Sequence, residues 1–474
     1  MRDIFGRLTR ITRMSFLALG FRRLLLAASL LVLSATPIRA ADNEAVAAAL
    51  QALFQSGKVD TGSDAANAEI DKVRGVYEIR AYKPIWTRDN GPKFKAKALL
   101  AELKISAVNG LSPKFYQVEE IEALMGSTEP ADLARLDMLL SGAIAEYGHD
   151  LANGRIGPDI APDENAVDPV AADPAAIIAG AEHADDLQDF AGTLLTADYR
   201  YVRLIAKLAE FSRIRASGQW PKIGAEGAVI APAASDERMP AIRKLLALTD
   251  DLPFSALGGG EKHDEATVAA VKSYQERHGL EQTGAIDAAT LAEMSVPIEE
   301  RIRQIQINLE RRRWQNRGLG DDSLYVNLAD NSVKVVLGGE SGRAVEVTNA
   351  EQLSSLPTFF GEITGVRLDP GATPQIGLAV ASPFIERIGG EASDRTLAIT
   401  DAALLAGDLL ASRASGATIE ELLAQGTPQT VAFDRPILLY VTYVTAWANR
   451  DGSVHFRRDR HGRDARVAAL LELD

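Results

Sequence analysis

Residues 264–294 read DEATVAAVKSYQERHGLEQTGAIDAATLAEM, and this stretch decides how the middle of the chain folds. Asp264 can cap a first helix, and Gly279 stands where a residue in the left-handed conformation would end it. Asp287 can cap a second helix shortly after a Thr-Gly turn. Two short helices joined by a turn predict a small helical module, which we place at residues 238–297.

A longer amphipathic helix is predicted to follow the module. Pro297 can occupy the first position of this helix, because the N–H that proline lacks is not needed there. Apolar residues then recur at helical spacing, with Arg and Glu between them, at Ile298, Ile302, Ile305 and Leu309. This pattern predicts a helix with one apolar face that bridges the module and the next domain.

The chain before the module is predicted to be mostly helical. Apolar residues recur every three or four positions in four stretches, at Ala45–Phe54, Pro92–Leu103, Leu133–Tyr147 and Tyr199–Ile214. The segment 157–174 is rich in Asp, Pro and Ala and has no periodicity, which predicts an exposed connection. Residues 41–237 are therefore predicted to form a helical domain.

After Trp314 the apolar pattern changes from a helical period to a period of about 2, which is typical of strands. Short strands are predicted at residues 324–328, 332–337, 343–348, 437–447 and 453–456. The Asp-Gly pair at 451–452 is typical of a hairpin turn between the last two strands. Helices are predicted at 401–412 and after Thr418, which opens a capping box. Residues 298–474 thus predict a mainly antiparallel β domain with helices, and the whole chain an α+β multidomain protein.

The composition narrows the classes of function. The chain has 474 residues, of which 46% are hydrophobic and 24% charged, as in ordinary globular proteins. It has no cysteine, so disulfides, cysteine-ligated zinc and a thiol nucleophile are excluded. The 65 acidic residues outnumber the 51 Lys and Arg residues, which argues against a nucleic-acid partner. No nucleotide motif or metal-ligand spacing occurs, and we expect no cofactor and no metal.

The first forty residues have the composition of a secretory signal peptide. Six arginines precede or flank an apolar run of ten residues, Leu24–Leu33, and small residues follow it. We predict that residues 1–40 are cleaved near Ala40 and that the chain is exported to a bacterial periplasm. An uncleaved signal anchor is the alternative, because residues 14–20 form a second apolar run. No later stretch has the about 20 apolar residues that a membrane span needs, so none is predicted after cleavage.

Several separated stretches resemble one family. Residues 270–286, AVKSYQERHGLEQTGAI, resemble the peptidoglycan-binding domain found beside cell-wall enzymes. Residues 308–314 and 436–447, NLERRRW and PILLYVTYVTAW, resemble the start and the closing hairpin of the catalytic domain of the large periplasmic L,D-transpeptidases. Residues 82–86 and the Gly-Arg pair at 154–155 resemble the scaffold domain of the same family. The resemblance implies a scaffold-like domain, a peptidoglycan-binding-like domain and a degenerate L,D-transpeptidase catalytic-like domain at 41–237, 238–297 and 298–474.

The resemblance also implies where the catalytic motif would lie. L,D-Transpeptidases join peptidoglycan stem peptides by acyl transfer, using a histidine-activated cysteine in a Ser-His-Gly-Cys-x-Arg motif. Residues 393–398, SDRTLA, align with this motif. Ser393 is kept, whereas the histidine, glycine, cysteine and arginine correspond to Asp394, Arg395, Thr396 and Ala398. No histidine lies between His278 and His455 either, so we expect no catalytic residues.

These observations predict a peptidoglycan-associated homologue in cell-wall biogenesis that has lost its chemistry. Its predicted partners are the stem peptide or glycan of peptidoglycan and an active cell-wall enzyme that it scaffolds or regulates. One alternative is an acyl transferase in which Ser393 or Thr396 replaces the cysteine, although the carboxylate of Asp394 would be a poor base because an exposed carboxyl group ordinarily has a pKa of about 4. The other alternative is a receptor that uses the old cleft for a different small ligand.

Two side chains in the module are the predicted ligand contacts. Tyr274 could stack on a sugar ring beside Gln275, but an aromatic residue at helical spacing more often packs in the core. Arginines around His455 and His461 could contact acidic groups, or they could belong to the folded closing hairpin.

Overall fold

The computed structural model describes residues 43–56, 64–196, 198–315, 322–337, 340–347, 355–370, 375–382, 400–413 and 418–473. The predicted signal peptide lies outside these residues. The segment aligned with the catalytic motif also lies outside them, including Ser393, Asp394, Arg395, Thr396 and Ala398.

Helices make up most of the described chain before residue 315. The described helices are α1 (Glu44–Gln55), α2 (Asp64–Ile79), α3 (Phe94–Lys104), α4 (Val118–Leu124), α5 (Pro130–Asn153), α6 (Pro174–His183), α7 (Leu187–Leu194), α8 (Tyr199–Ser217), α9 (Met239–Leu248), α10 (Glu265–Arg277), α11 (Ala288–Met294), α12 (Ile298–Trp314), α13 (Ala402–Arg413), α14 (Ile419–Leu423) and α15 (Arg463–Leu470). None of the helices in the described ranges is long and apolar enough to cross a membrane.

Strands make up most of the C-terminal region. The described strands are β1 (Thr87–Arg88), β2 (Gly91–Pro92), β3 (Ser323–Asn327), β4 (Ser332–Leu337), β5 (Glu340–Glu346), β6 (Phe359–Asp369), β7 (Gln375–Ala381), β8 (Gln429–Thr442), β9 (Ala446–Ala448) and β10 (Val454–Phe456). The predicted α+β fold with several domains is confirmed.

The helical domain is organised around α5, which is buried along most of its length. Asp137 of this helix is fully buried, and its carboxylate accepts hydrogen bonds from the backbone N–H groups of Ile85, Trp86 and Thr87 at 2.7–2.8 Å. The Tyr77 hydroxyl donates to the same carboxylate at 2.6 Å. One side chain therefore fixes the segment between α2 and β1 against α5.

The large sheet has the strand order β5-β4-β3-β8-β6-β7. β3 and β8 are parallel, with Leu324 beside Leu439, and the other neighbouring pairs are antiparallel. The sheet is thus mixed and mainly antiparallel, as predicted. Alternate residues on one face, such as Leu324 and Val326, pack with Leu409 of α13 in one apolar core. The opposite face includes Tyr325, so the strand alternation separates an apolar face from a more polar one.

The strand predicted at 437–447 is interrupted in the structure. Residues 443–445 separate β8 from β9. The Thr445 N–H donates to Asn308 Oδ1 at 2.9 Å, and the Thr445 carbonyl accepts from the Arg457 N–H at 2.8 Å. The chain leaves the large sheet here because its backbone partners lie on α12 and beyond β10 rather than on a neighbouring strand.

The connection predicted to be exposed at 157–174 is only partly so. It contains no helix or strand before α6, but Glu164 and Asn165 are buried. Glu164 pairs with Arg463 at the start of α15 at 2.8 Å, and Asn165 forms a β-bridge with Thr358. The prediction is wrong at these two residues: Glu164 is buried as the carboxylate partner of a buried arginine on a distant helix, and Asn165 is buried beside the strand residue that it bridges.

Asp137→Ala is expected to destabilise the helical domain strongly. The substitution leaves buried backbone N–H groups and the Tyr77 hydroxyl without their acceptor, at about 1–3 kcal/mol for each unsatisfied group. We expect the free energy of unfolding, measured by urea denaturation, to fall by at least about 3 kcal/mol. Asp132→Ala on the same helix loses a single bond to Ser127 and is the control, with an expected loss of about 1 kcal/mol. Equal losses in the two variants would contradict the central role of Asp137.

Candidate functional site

The helical module has the local structure that its sequence predicts. Asp264 accepts a hydrogen bond from the Thr267 N–H at 3.0 Å and caps α10, and Gly279 follows that helix with a φ of 65°. Asp287 accepts from the Thr290 N–H at 2.7 Å and caps α11. Each cap is confirmed, and each is formed between residues three positions apart.

The two predicted ligand contacts, Tyr274 and Gln275, are buried inside the module. Tyr274 is 2% exposed, and its ring stacks on His278 with 3.7 Å between the ring centres. Gln275 Nε2 donates to Thr290 Oγ1 at 3.0 Å, and its Oε1 accepts from the Gly284 N–H at 2.9 Å. Both side chains hold the two helices and the turn together. Their positions give no support to a glycan contact through either side chain.

The module is joined to the C-terminal hairpin by arginines at its edge. Arg277 pairs with Asp251 and donates to the Val454 carbonyl of β10 at 2.5 Å. Arg457 follows β10, pairs with Asp330 and donates to the Arg277 carbonyl at 2.9 Å. These bonds connect α10, the hairpin and the turn after β3, and they fix the module against the C-terminal domain.

A cleft of about 720 Å³ lies where α11, α12 and α15 meet. Glu293 lines this cleft, pairs with Arg301 at 2.6 Å and accepts a bond from Arg458 at 3.2 Å. Small and branched apolar side chains form much of the remaining wall, among them Ala292, Val296, Ile307, Ala465 and Ala468. The cleft therefore combines an apolar wall with fixed charges.

The cationic side of the cleft is suited to an acidic ligand. The Arg458 side chain is 52% exposed and pairs with Glu293 at 3.2 Å, and that of Arg303 is 28% exposed and pairs with Glu300 at 2.6 Å. Arg301 is paired with Glu293 in a buried pair. A guanidinium group matches a carboxylate with two parallel N–H donors. In the residues that the structure describes, no group of three or more His, Asp or Glu side chains could hold a metal ion.

Sequence reasoning did not identify the pair of Glu293 and Arg301. These residues lie on different helices, and Pro297 separates them. The local pattern predicts solvated charges at both positions, and no periodicity indicates that they meet. The sequence does reveal the cationic run that contains Arg458. Its two interpretations are contact with acidic groups and a structural part in the closing hairpin.

His278 occupies the boundary between the module and the hairpin. Its ring lies between Tyr274 and Phe456, and its Nδ1–H donates to the Tyr274 carbonyl at 2.7 Å. Burial lowers the pKa of His278 well below its usual value of 6.5, and the positive charges of Arg301 and Arg277 lower it further. The imidazole is therefore neutral and has a structural role at neutral pH.

His455 lies on the opposite side of β10. Its ring stacks on Trp447 with 5.2 Å between the ring centres. Burial, followed by the charge of Arg457, lowers the pKa of His455 to about 4. A ring with this pKa is a weak general base near neutral pH.

Two family models match the chain. Residues 71–208 match the model described as Scaffold domain, and residues 257–294 match the model described as Putative peptidoglycan binding domain. No curated protein matches the chain. The first match lies in the helical domain built around α5, and the second covers α10 and α11. The two domains indicate a protein associated with the cell wall, with peptidoglycan as its partner.

Acidification is expected to destabilise the protein because His278 resists protonation in the folded state. Between the depressed folded pKa and the unfolded value of 6.5, the unfolded chain binds more protons. The free energy of unfolding therefore falls as the pH decreases through this window, by up to about 1.4 kcal/mol per pH unit for each such proton. Urea denaturation of the wild type at about pH 7, 6 and 5 measures this slope.

In His278→Gln, the unfolding free energy should fall less steeply with decreasing pH, because the contribution of one proton to this slope is removed. The absolute stability of this variant is also expected to fall, since the ring contacts are lost, so the slope is the diagnostic quantity. His183→Gln, at an exposed position in α6, is the matched control and should keep the wild-type slope. A wild-type slope in His278→Gln would contradict the role assigned to this ring.

Proposed function

We propose that this chain is a periplasmic homologue of the L,D-transpeptidases that binds peptidoglycan and has no acyl transferase activity. The observation that carries the proposal is the peptidoglycan-binding match at 257–294, which follows a scaffold match at 71–208. The motifs at 308–314 and 436–447 resemble the catalytic domain of that family and come next in the same order. This order supports a three-domain chain.

The cleft beside the module supports an acidic peptide as the ligand. The stem peptides of peptidoglycan present carboxylates and small apolar side chains. The carboxylates match the arginines of this cleft, and the apolar side chains match its apolar wall. The whole chain has a formal net charge of -14, so attraction of an acidic ligand requires a local group of cations. Arg303 and Arg458 supply it: each contacts one carboxylate, of Glu300 and of Glu293, and its partial exposure leaves further guanidinium N–H groups for a ligand.

The absence of cysteine supports the loss of acyl transfer. Thioester chemistry requires a thiolate, and none of the 474 residues can supply one. The pKa of His278 and that of His455 are both lowered, so neither ring is an effective base near neutral pH. Binding of peptidoglycan, or scaffolding of an active cell-wall enzyme on it, is the role that fits the domains that are retained.

The purified chain is expected to co-sediment with isolated sacculi. The double variant Arg303→Gln, Arg458→Gln removes two cationic donors from the cleft and should weaken this binding at least about tenfold, or about 1.4 kcal/mol. The matched control is Arg203→Gln, Arg213→Gln, which makes the same change in net charge at exposed positions of α8. Failure of the wild type to co-sediment would contradict peptidoglycan binding. Equal weakening in both double variants would contradict the position of the binding surface.

Purified muropeptide monomers are expected to remain monomers when incubated with the protein. The assay measures dimeric muropeptides by chromatography, with a cysteine-dependent L,D-transpeptidase as the positive control. Dimers that form with the wild type and disappear with Thr396→Ala or Ser393→Ala would contradict the proposed inactivity. That result would establish a substitute hydroxyl nucleophile.

A further inference from the structure

A second cationic group lies at the C-terminal end of α12, on the polar face of the large sheet. Tyr325 of β3 is beside Lys334 of β4 and Tyr440 of β8 in the strand register. The Arg312 guanidinium lies 5.4 Å from the centre of the Tyr325 ring, and that of Arg200 lies 5.3 Å from it. Three cationic side chains from α12, α8 and β4 therefore converge around one tyrosine.

Arg312 differs from its neighbours on α12 in having no acidic partner among the residues that the structure describes. Three other buried arginines of this helix pair with carboxylates: Arg301 with Glu293, Arg311 with Asp464 and Arg313 with Glu310. Arg312 is only 4% exposed. In the part of the chain that the structure describes, its side chain donates one hydrogen bond, to Gln315 Oε1 at 3.1 Å. Its buried positive charge is thus uncompensated, an arrangement that proteins normally avoid.

Several buried hydrogen-bonding groups around Arg312 are also unused. Arg312 Nε, Gln315 Nε2 and the Tyr325 hydroxyl have no hydrogen-bond partner in the described structure. Gln315 and Tyr325 are each 6% exposed, so bulk water does not readily replace the missing partners. All three groups can donate a proton, and buried donors are rarely left unsatisfied. Together with the uncompensated charge, they indicate a ligand that accepts hydrogen bonds.

The surrounding charges make the group cationic overall. Asp198 is already paired with Arg200 at 3.0 Å, and Asp330 is paired with Arg457. Desolvation lowers the pKa of Lys334, Asp330 raises it, and the charges of Arg200 and Arg312 lower it. The carbonyl end of α12 favours cations, but it provides no acceptor for Arg312 Nε. An anionic ligand would compensate the excess positive charge.

We propose that Arg312, Gln315 and Tyr325 form a binding site for an oxyanion, a carboxylate or a phosphate, with Arg200 and Lys334 supplying further positive charge. The three buried groups donate to the anion's oxygen atoms. This site is separate from the cleft beside α11, which contacts α12 between Glu300 and Ile307. It goes beyond the proposed binding of peptidoglycan by the module, because a phosphate could fill it even if sacculi do not bind.

Thermal unfolding of the purified full chain tests the site. The midpoint is measured against increasing inorganic phosphate, acetate or a soluble muropeptide, with chloride replaced to keep the ionic strength constant. A ligand that binds only the folded state raises the midpoint in a saturable way. A response to phosphate alone identifies a phosphate site, and a response to acetate identifies a carboxylate site. A response to the muropeptide counts for this site only where the variants below weaken it. The absence of a saturable response to all three would overturn the proposal.

Three variants locate the response. Arg312→Gln should weaken anion binding at least tenfold, and Tyr325→Phe and Lys334→Gln should weaken it about threefold or more. Tyr325→Phe removes a hydroxyl that has no partner, so its fold should survive even if Arg312→Gln does not fold. Arg203→Gln, at an exposed position of α8, is the control and should bind as the wild type does. Wild-type binding by Tyr325→Phe and Lys334→Gln, or equal weakening in the control, would overturn the proposal.

Discussion

The pairing of buried charges along α12 is the constraint on which the rest of the structure depends. Glu310 is fully buried, accepts a hydrogen bond from the Ile156 N–H at 2.7 Å and pairs with Arg313 at 3.1 Å. Arg313 also donates to the Tyr201 hydroxyl at 3.1 Å. Removing one member of such a pair leaves an isolated buried charge, at a cost of about 3–5 kcal/mol. The helical domain, α8 and the C-terminal region are therefore held to one helix by polar contacts as well as by apolar packing.

The same constraint explains a short motif in the helical domain. Gly154 has a φ of 80°, and a Cβ atom at this position would lie 2.5 Å from Glu310 Oε1. Glycine is required there because a side chain would displace the carboxylate that Arg313 needs. The next residue, Arg155, pairs with Asp150 of α5 at 3.0 Å. The Gly-Arg pair that resembles a scaffold-domain motif thus serves the joint between α5 and α12.

The two ends of α12 differ in which arginine side chains remain for contact with a ligand. Near its N-terminal end, Arg301 and Glu293 satisfy each other, and the cleft beside them exposes only the more solvated arginines. At its C-terminal end, Arg312 is buried with no carboxylate partner in the described ranges, although Arg311 and Arg313 on either side are paired. The other buried arginines of α12 are paired with carboxylates, so the unpaired Arg312 stands out as a candidate contact for an anion. The peptidoglycan-binding match supports peptidoglycan as a partner, and the contacts of charged side chains with it belong to the proposals above.

The sequence by itself determined the local structure of this protein. The caps at Asp264 and Asp287 and the change to strands after Trp314 could be predicted, because each depends on residues within a few positions of one another. Only the tertiary structure decided which side chains are covered. The spacing of Tyr274 placed it on a helix face but could not show that His278 and the apolar core shared by α9 and α11 enclose it. The Arg and Glu residues of α12 follow the pattern of a solvated face, yet residues 307–314 of this helix are all buried. Their partners come from elsewhere in the chain, as in the pair of Glu164 and Arg463, 299 residues apart, and no local pattern encodes such a contact.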